Sequence, residues 1–370
     1  MRGDEALTSW RFEWRRDWVA VWAPDFMSKW ECLLATSAHA NVYHQPALVR
    51  AWAETHGRAL GAEPLFGLGT GPNGALVLLT FIVASRRGRR ASRRLLSAVG
   101  EGFFGYHDPL VSASNATDID WSEFWNLVRR HTAGECDQGL LRFVHAAHAT
   151  GPLTEPGSDA SPLIDVSTCL TLDDAFARCS KDHRHETRRL LRRLGDRGAV
   201  VLHVAESCDA MLALDDLANG FLPAYNAHWR AKPTGSMFDR AGVLDFASRV
   251  VGEGTRDGWA EYGRMTVGVN PVAWYVGLVH RESFYLWITT YDVAYQEFSP
   301  GRLLLTLIIK RCIERGVKLV HLLTGDQPYK REWRPTEQSM RTVRWYAPTV
   351  KGWLLGRYDS RHRGSILEPR

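Results

Sequence analysis

The chain has 370 residues, 45% of them hydrophobic and 24% charged, which is enough to bury a large core and to build two domains. Its longest apolar run, residues 75–84, is about half of the ~20 residues needed to cross a bilayer; no secretory leader is read either, so the expectation is a soluble cytoplasmic protein without a membrane span. Six cysteines without CxxC spacing or close pairing argue against a zinc site and for reduced thiols, and the net charge of +5 is carried by arginine, with only seven lysines in the chain.

In chain order, residues 1–17 form a polar lead-in in which Trp10, Trp14 and Trp18 fit a helix while the local alternation fits a strand. The first half then predicts a strand at 18–22, helices at 25–36 and 46–54, and strands at 64–69 and 75–84. An arginine loop follows, with Arg86, Arg87, Arg89, Arg90, Arg93 and Arg94, then a turn at 102–110, a helix at 122–132 and a strand at 139–145. A Gly/Pro/Ser/Thr-rich stretch at 149–162 reads as a linker.

The second half predicts a strand at 163–166, a helix at 172–179 and an arginine-rich helix, on which Arg184, Arg188 and Arg192 share one face and Arg189, Arg193 and Arg197 a neighbouring one. A strand at 200–204, helices at 210–228 and 240–251, and strands at 261–267, 272–280 and 283–290 come next. Ser299 then suits a helix cap, Pro300 the first helical position, and Gly301 a place where a ligand approaches the backbone. The apolar helix behind them, 303–312, stops at Gly316, and 317–323 is a further strand. Mixed elements with hairpin-linked strands argue for α/β or α+β layers rather than a bundle or a sandwich. The amide groups and dipole at the start of the Pro300 helix suit a pyrophosphate or another anion.

Gln296-x-x-Ser299-x-Gly301 resembles the Gln/Arg-x-x-Gly-x-Gly/Ala loop with which GNAT-superfamily acyltransferases hold the pyrophosphate of acyl-coenzyme A, with Ser299 in place of the first glycine. Tyr291-Asp292, Ser299-Pro300-Gly301 and Gly325-Asp326-x-Pro328-Tyr329-Lys330-x-x-Trp333 together resemble the GNAT family of cellulose-biosynthesis-associated acetyltransferases, similar in fold to FemAB-type aminoacyl transferases. Weaker echoes are Trp30-x-x-Leu33, the Trp52 region, residues 105–110, the arginine helix and His228-Trp229-Arg230, whereas His321 stands where that family usually carries an aspartate. The resemblance implies an α/β (α+β) protein of two GNAT-like domains side by side, mixed sheets flanked by helices, with an N-terminal domain at 1–160 and a C-terminal domain at 161–370. It implies a donor loop of Gln296, Ser299, Pro300, Gly301, Arg302 and Leu303, with acyl-CoA, foremost acetyl-CoA, as co-substrate and no metal.

Acyl transfer from a thioester to an amine needs a neutral nucleophile, a stabilised oxyanion and a proton for the departing thiolate. By resemblance Tyr329 is the thiolate acid; it is equally readable as a core tyrosine. Asp326 either caps the turn before Pro328 or orients the amine, Lys330 contacts an anion or is a surface lysine, and Asp292 is an alternative base or a turn residue. His107, Asp108, Arg184, Trp229 and Arg230, with Lys232, are the acceptor-side groups, against core or surface roles. Three functions follow: an acyl-CoA-dependent N-acyltransferase acting on a small-molecule, amino-sugar or natural-product amine; an aminoacyl-tRNA-dependent transferase whose arginines bind tRNA; or a GNAT-shaped binding protein without catalysis. DNA is not an expected partner.

Overall fold

The computed structural model describes residues 10–87, 92–112, 119–156, 159–230, 232–233, 235–323 and 328–362. Two compact units emerge, Met1–Asp159 with Ser339–Arg370, and Ala160–Gln338. The chain from Ser339 onward, expected in the second domain, folds with the first.

The first unit begins with β1 (Arg11–Arg15), where Trp10, Phe12 and Trp14 stack along one face at 6.2 and 5.5 Å. Alternation was therefore the true signal in the lead-in. The strand expected at 18–22 is instead the short helix α1 (Trp18–Val21), because the Asp17 carboxylate accepts from Ala20 N and starts a turn. Helices α2 (Pro24–Thr36) and α3 (Pro46–Trp52) precede β2 (Glu63–Thr70), β3 (Leu76–Arg87), β4 (Ser92–Ala98), β5 (Leu110–Val111), α4 (Trp121–His131) and β6 (Gln138–His145). The expected arginine loop is largely a hairpin: Arg86 pairs with Arg93 and Arg87 with Ser92, while Arg89 and Arg90 lie outside the described residues. The presumed linker is built into this unit, since Ala149 is fully buried and Glu155 N donates to Thr342 O.

The second unit runs β7 (Asp159–Asp165), α5 (Leu172–Ala177), α6 (Lys181–Gly195), β8 (Val200–Val204), α7 (Ala210–Asp216), a π-helical turn at Leu217–Phe221, α8 (Leu222–Trp229), α9 (Val243–Asp257), β9 (Ala260–Val267), β10 (Asn270–His280), β11 (Ser283–Tyr291), α10 (Pro300–Glu314), β12 (Leu319–His321) and α11 (Pro328–Arg331). Its sheet order is β7-β12-β11-β10-β9-β8, antiparallel throughout except for the β11/β12 pair. One face carries α5, α6 and α10 over a core that includes Met265, Tyr275, Phe284, Leu286, Leu304 and Ile308. On the other, Asp216 of α7 accepts from Tyr262 Oη and Arg264 at 2.8 Å and from Trp274 Nε1 at 3.1 Å. The chain then returns to the first unit as β13 (Thr336–Tyr346) and α12 (Val350–His362), completing a sheet of order β1-β2-β3-β4-β6-β13 with α4 on one face.

β10 and β11 are closely fitted. A Cβ at Gly277 would stand 2.2 Å from the buried Phe284 ring, which the surrounding core prevents from swinging away. Gly277→Ala is expected to lower unfolding free energy by about 1–3 kcal/mol in denaturant melts, and an unchanged midpoint would contradict this packing.

Candidate active site

The site is organised by a parting of strands. Parallel β11 and β12 pair only across Ser283↔Leu319, Phe284↔Val320 and Tyr285↔His321. Leu322 N then donates to Pro162 O, and Leu323 takes φ 57°, so the chain turns away while β11 continues beside β10 to Tyr291. Among the described residues, 286–291 thus have no strand neighbour on the β12 flank. The β10/β11 register steps from Val276↔Ile288 to Gly277↔Leu286, leaving Trp287 as the extra residue of a bulge. By this register Thr289 and Tyr291 share the α10 face of the sheet with Leu286 and Phe284.

After β11, the Asp292 carboxylate accepts from Ala294 N at 3.0 Å and opens a 3-10 turn over Val293–Phe298. Asp292 is therefore engaged as a turn residue. Ser299 does not cap as expected: it sits in the left-handed region at φ 49°, ψ 58°, and its hydroxyl makes no cap bond. Its carbonyl instead accepts from Arg302 N and Leu303 N at 3.0 and 3.3 Å. Pro300 is buried, Gln296 is exposed, and Leu303 is fully buried, so its side chain belongs to the core and not to a ligand loop. Gly301 is informative because its φ is not left-handed and a Cβ there would meet nothing within 4 Å. Neither backbone nor packing demands glycine at this position.

α11 closes the open flank. Tyr329 hydrogen-bonds the Thr289 hydroxyl, and burial, the largest influence, raises its pKa so that the phenol keeps its proton. Lys330 Nζ donates to Leu322 O at 2.8 Å, satisfying a carbonyl where β12 ends, and burial pushes its pKa down from 10.5 to about 8. It is neither a surface lysine nor, among the described residues, paired with a carboxylate. Glu332, just beyond the helix, receives Arg302 Nη2 from the first turn of α10 at 2.5 Å, while Arg302 Nε is buried without a hydrogen-bond partner. His183 of α6 faces the other Glu332 oxygen at 3.3 Å, out of hydrogen-bond alignment, and burial lowers its pKa. Trp333 stacks on Phe176 at 5.2 Å in the core. Asp326 lies outside the described residues.

The acceptor-side residues divide between the units. In the second, the end of α8 lies against the end of β11: the His228 ring is 5.2 Å from that of Tyr291, Lys232 lies 4.1 Å above Trp229, and Arg230 pairs with Asp239 on the surface at 2.8 Å. His228 Nε2 is 2.8 Å from Lys232 Nζ, and burial followed by that ammonium lowers the imidazole pKa. Arg184 is half-buried near the start of α6. His107 and Asp108 belong to the first unit, where their bonds are internal. His107 Nδ1 donates to Arg142 O at 2.9 Å, and Asp108 accepts from His145 N and His148 Nδ1 at 2.8 and 2.9 Å and, through its carbonyl, from His44 Nε2 at 2.8 Å. Burial alone would raise the Asp108 carboxyl, but these donors hold it below the ordinary range. Both residues tie the 102–110 turn to β6. On α6, Arg188 pairs with Asp173, Arg189 with Glu186 and Arg193 with Glu297, which Arg197, in the turn just after the helix, also meets. Thr289, Glu332 and His183 were not anticipated from sequence; only Glu332, one of the unspecified positions between Lys330 and Trp333, had a neighbouring signal.

Among the described residues no cluster of His, Cys, Asp or Glu is arranged to hold a metal, and no helix is long and apolar enough to cross a membrane. A family model for an acetyltransferase (GNAT) domain matches residues 181–331, the segment from α6 to α11. This stretch is accordingly similar to GNAT acetyltransferase domains, and the protein is a transferase of mixed α/β fold. FemX is similar in fold, with TM-score 0.53 and 8% identity over 85% of this chain and 95% of that one. The tandem GNAT protein of the clavulanic acid biosynthesis pathway matches with TM-score 0.44, 11% identity, 92% of this chain and 100% of that one, and the L-PGS of Bacillus licheniformis with TM-score 0.46, 12% identity, 86% and 97%. At such identities the FemX likeness speaks to fold alone. No curated protein matches the sequence significantly.

Lys330 carries a pH signature. Between about 8 and 10.5 the folded state binds fewer protons at this lysine than the unfolded chain, so its contribution to stability rises with pH across that window. The melting temperature of the wild type relative to Lys330→Met should therefore climb from pH 8 to pH 10.5; a difference that stays flat would show that Lys330 is not buried as described.

Proposed function

We propose that the protein is an acyl-CoA-dependent N-acyltransferase, with acetyl-CoA as the first donor to test and a small-molecule or amino-sugar amine as acceptor. The carrying observation is the open space over Gly301 in the first turn of α10, a position where glycine costs helix stability and serves no packing need of the chain itself. A donor pyrophosphate lying over that turn accounts for the glycine, with the helix dipole favouring the anion. The motif residues Tyr291, Asp292, Gly301, Tyr329 and Trp333 support a relationship to the cellulose-biosynthesis-associated acetyltransferases.

The acceptor enters as the free amine, its lone pair adds to the thioester carbonyl, the tetrahedral oxyanion collapses as the C–N bond replaces the C–S bond, and the nitrogen releases its proton to solvent, from which the acid that protonates the thiolate is restored. The end of β11 at Ile288–Tyr291, beyond its described pairing with β12, supports an oxyanion contact from backbone amides. Tyr329, protonated and aimed at Thr289 on the same flank, supports a proton donor for the departing thiolate. Asp326 is retained as a residue that orients the amine. A tRNA-dependent donor is less well supported, since Arg188, Arg189, Arg193 and Arg197 each lie on a carboxylate of their own unit.

In a calorimetric titration with acetyl-CoA, the wild type should bind with a dissociation constant of roughly 1–100 μM, an affinity of about 5–8 kcal/mol. Gly301→Trp should weaken binding by at least about tenfold while shifting stability by no more than about 1 kcal/mol, because the new ring enters open space. Retained binding in the folded variant refutes the loop assignment. Wild type that binds no acyl thioester but releases free tRNA from an aminoacyl-tRNA refutes the donor. Tyr329→Phe should lower kcat by about 10²-fold with KM for the donor nearly unchanged; full turnover would exclude Tyr329 as the acid.

A further inference from the structure

In the first unit, α12 packs with its small and polar side inward. A Cβ at Gly352 would strike Ala347 O at 2.2 Å, one at Gly356 would press the Tyr346 ring at 3.1 Å, and the buried Asp359 carboxylate accepts from Tyr346 Oη at 2.9 Å and from Arg93 at 3.3 Å. The large apolar residues point outward: Val350 is 78% exposed, Trp353 56%, Leu354 55% and Tyr358 47%. This inverts the usual arrangement of a surface helix, which turns its apolar stripe to the core. Isolated exposed hydrophobics are ordinary, but four on one face of one helix are not.

Charge narrows the choice of occupant. Val350, Leu354 and Tyr358 form one row at i, i+4 spacing, and Trp353, Arg357 and Arg361 form the adjacent row, with the Arg357 guanidinium 4.8 Å over the Trp353 ring. The one acid of the helix, Asp359, is buried and paired, so its exposed charges are all positive. Beside Trp353 and Arg357, a groove of about 990 Å³ continues the apolar surface along Pro152, Leu153 and Pro156. A second copy docked by two-fold symmetry would set one arginine row against the other. Nucleic acid would leave Val350 and Leu354 without a partner.

We propose that α12 is an interfacial helix that seats this unit on a membrane surface bearing anionic phospholipid. Val350, Trp353, Leu354 and Tyr358 enter the boundary between headgroups and acyl chains, while the flexible Arg357 and Arg361 side chains reach lipid phosphates. The inference is independent of the acyl donor.

The test is co-sedimentation of the full chain with phosphatidylcholine vesicles, with and without added phosphatidylglycerol. Wild type should partition at least about tenfold more onto the anionic vesicles, and added salt should release it. Leu354→Glu and the double variant Arg357→Ala/Arg361→Ala should each lose this binding with unchanged melting temperature. Val269→Glu, at a 93% exposed residue of the other unit, should bind as wild type. Failure of the wild type to sediment, or undiminished binding of the two α12 variants, overturns the proposal. So does a wild-type dimer in light scattering that Leu354→Glu dissociates without any vesicle binding, which would assign the face to a second copy.

Discussion

Two parallel strands that pair over three residues and then separate set the terms for the second unit. Where β12 leaves β11, the described ladder between them ends, and the surrounding elements are arranged around that parting. Lys330 takes the Leu322 carbonyl, Pro162 takes the Leu322 amide, and Tyr329 reaches Thr289 across the opening. The extra residue at Trp287 shifts the alternation by one and so puts Thr289 on the same face as Leu286. The half-buried phenol of Tyr329 thus stands beside the stretch of β11 that β12 has left.

A second tie holds the start of α10. Glu332 receives Arg302 from the first turn of α10 and lies beside His183 of α6, so one carboxylate links three helices that sequence separates widely. Removing one partner would leave a partly buried charge uncompensated, whereas exposed pairs such as Arg188–Asp173 contribute about 0–1 kcal/mol each. Those surface pairs still matter for recognition, because they place carboxylates among arginines that would otherwise form an unbroken basic face. The chain's basic character is expressed elsewhere, on α12, where no exposed acid accompanies the arginines.

Local signals in the chain were read well where one interaction dominated. The β9, β10 and β11 strands, the Pro300 helix and its stop near Gly316, and the arginine helix all follow from apolar patterning and cap chemistry within a few residues. Ser299 was misjudged because its suitability as a cap assumed extended backbone, while the turn begun by Asp292 delivers the chain in a left-handed conformation. The arginines at 93 and 94 looked like a loop because charge hid the alternation of β4, and Asp108 looked like a ligand-facing acid because its three histidine partners are distant in sequence.

The sequence alone determined the alternating strands and helices, the glycine-bearing start of α10 and the motif around Tyr329, since these rest on backbone preference and spacing within one or two turns. Tertiary structure decided which of those residues are available for chemistry. It withdrew Arg302 into a bond with Glu332, gave Lys330 a strand-end carbonyl and set Tyr329 against Thr289. It also returned residues 339–362 to the first unit with the apolar side of α12 outward. Burial and long-range pairing depend on what the remote chain places opposite each side chain, and no local pattern encodes that.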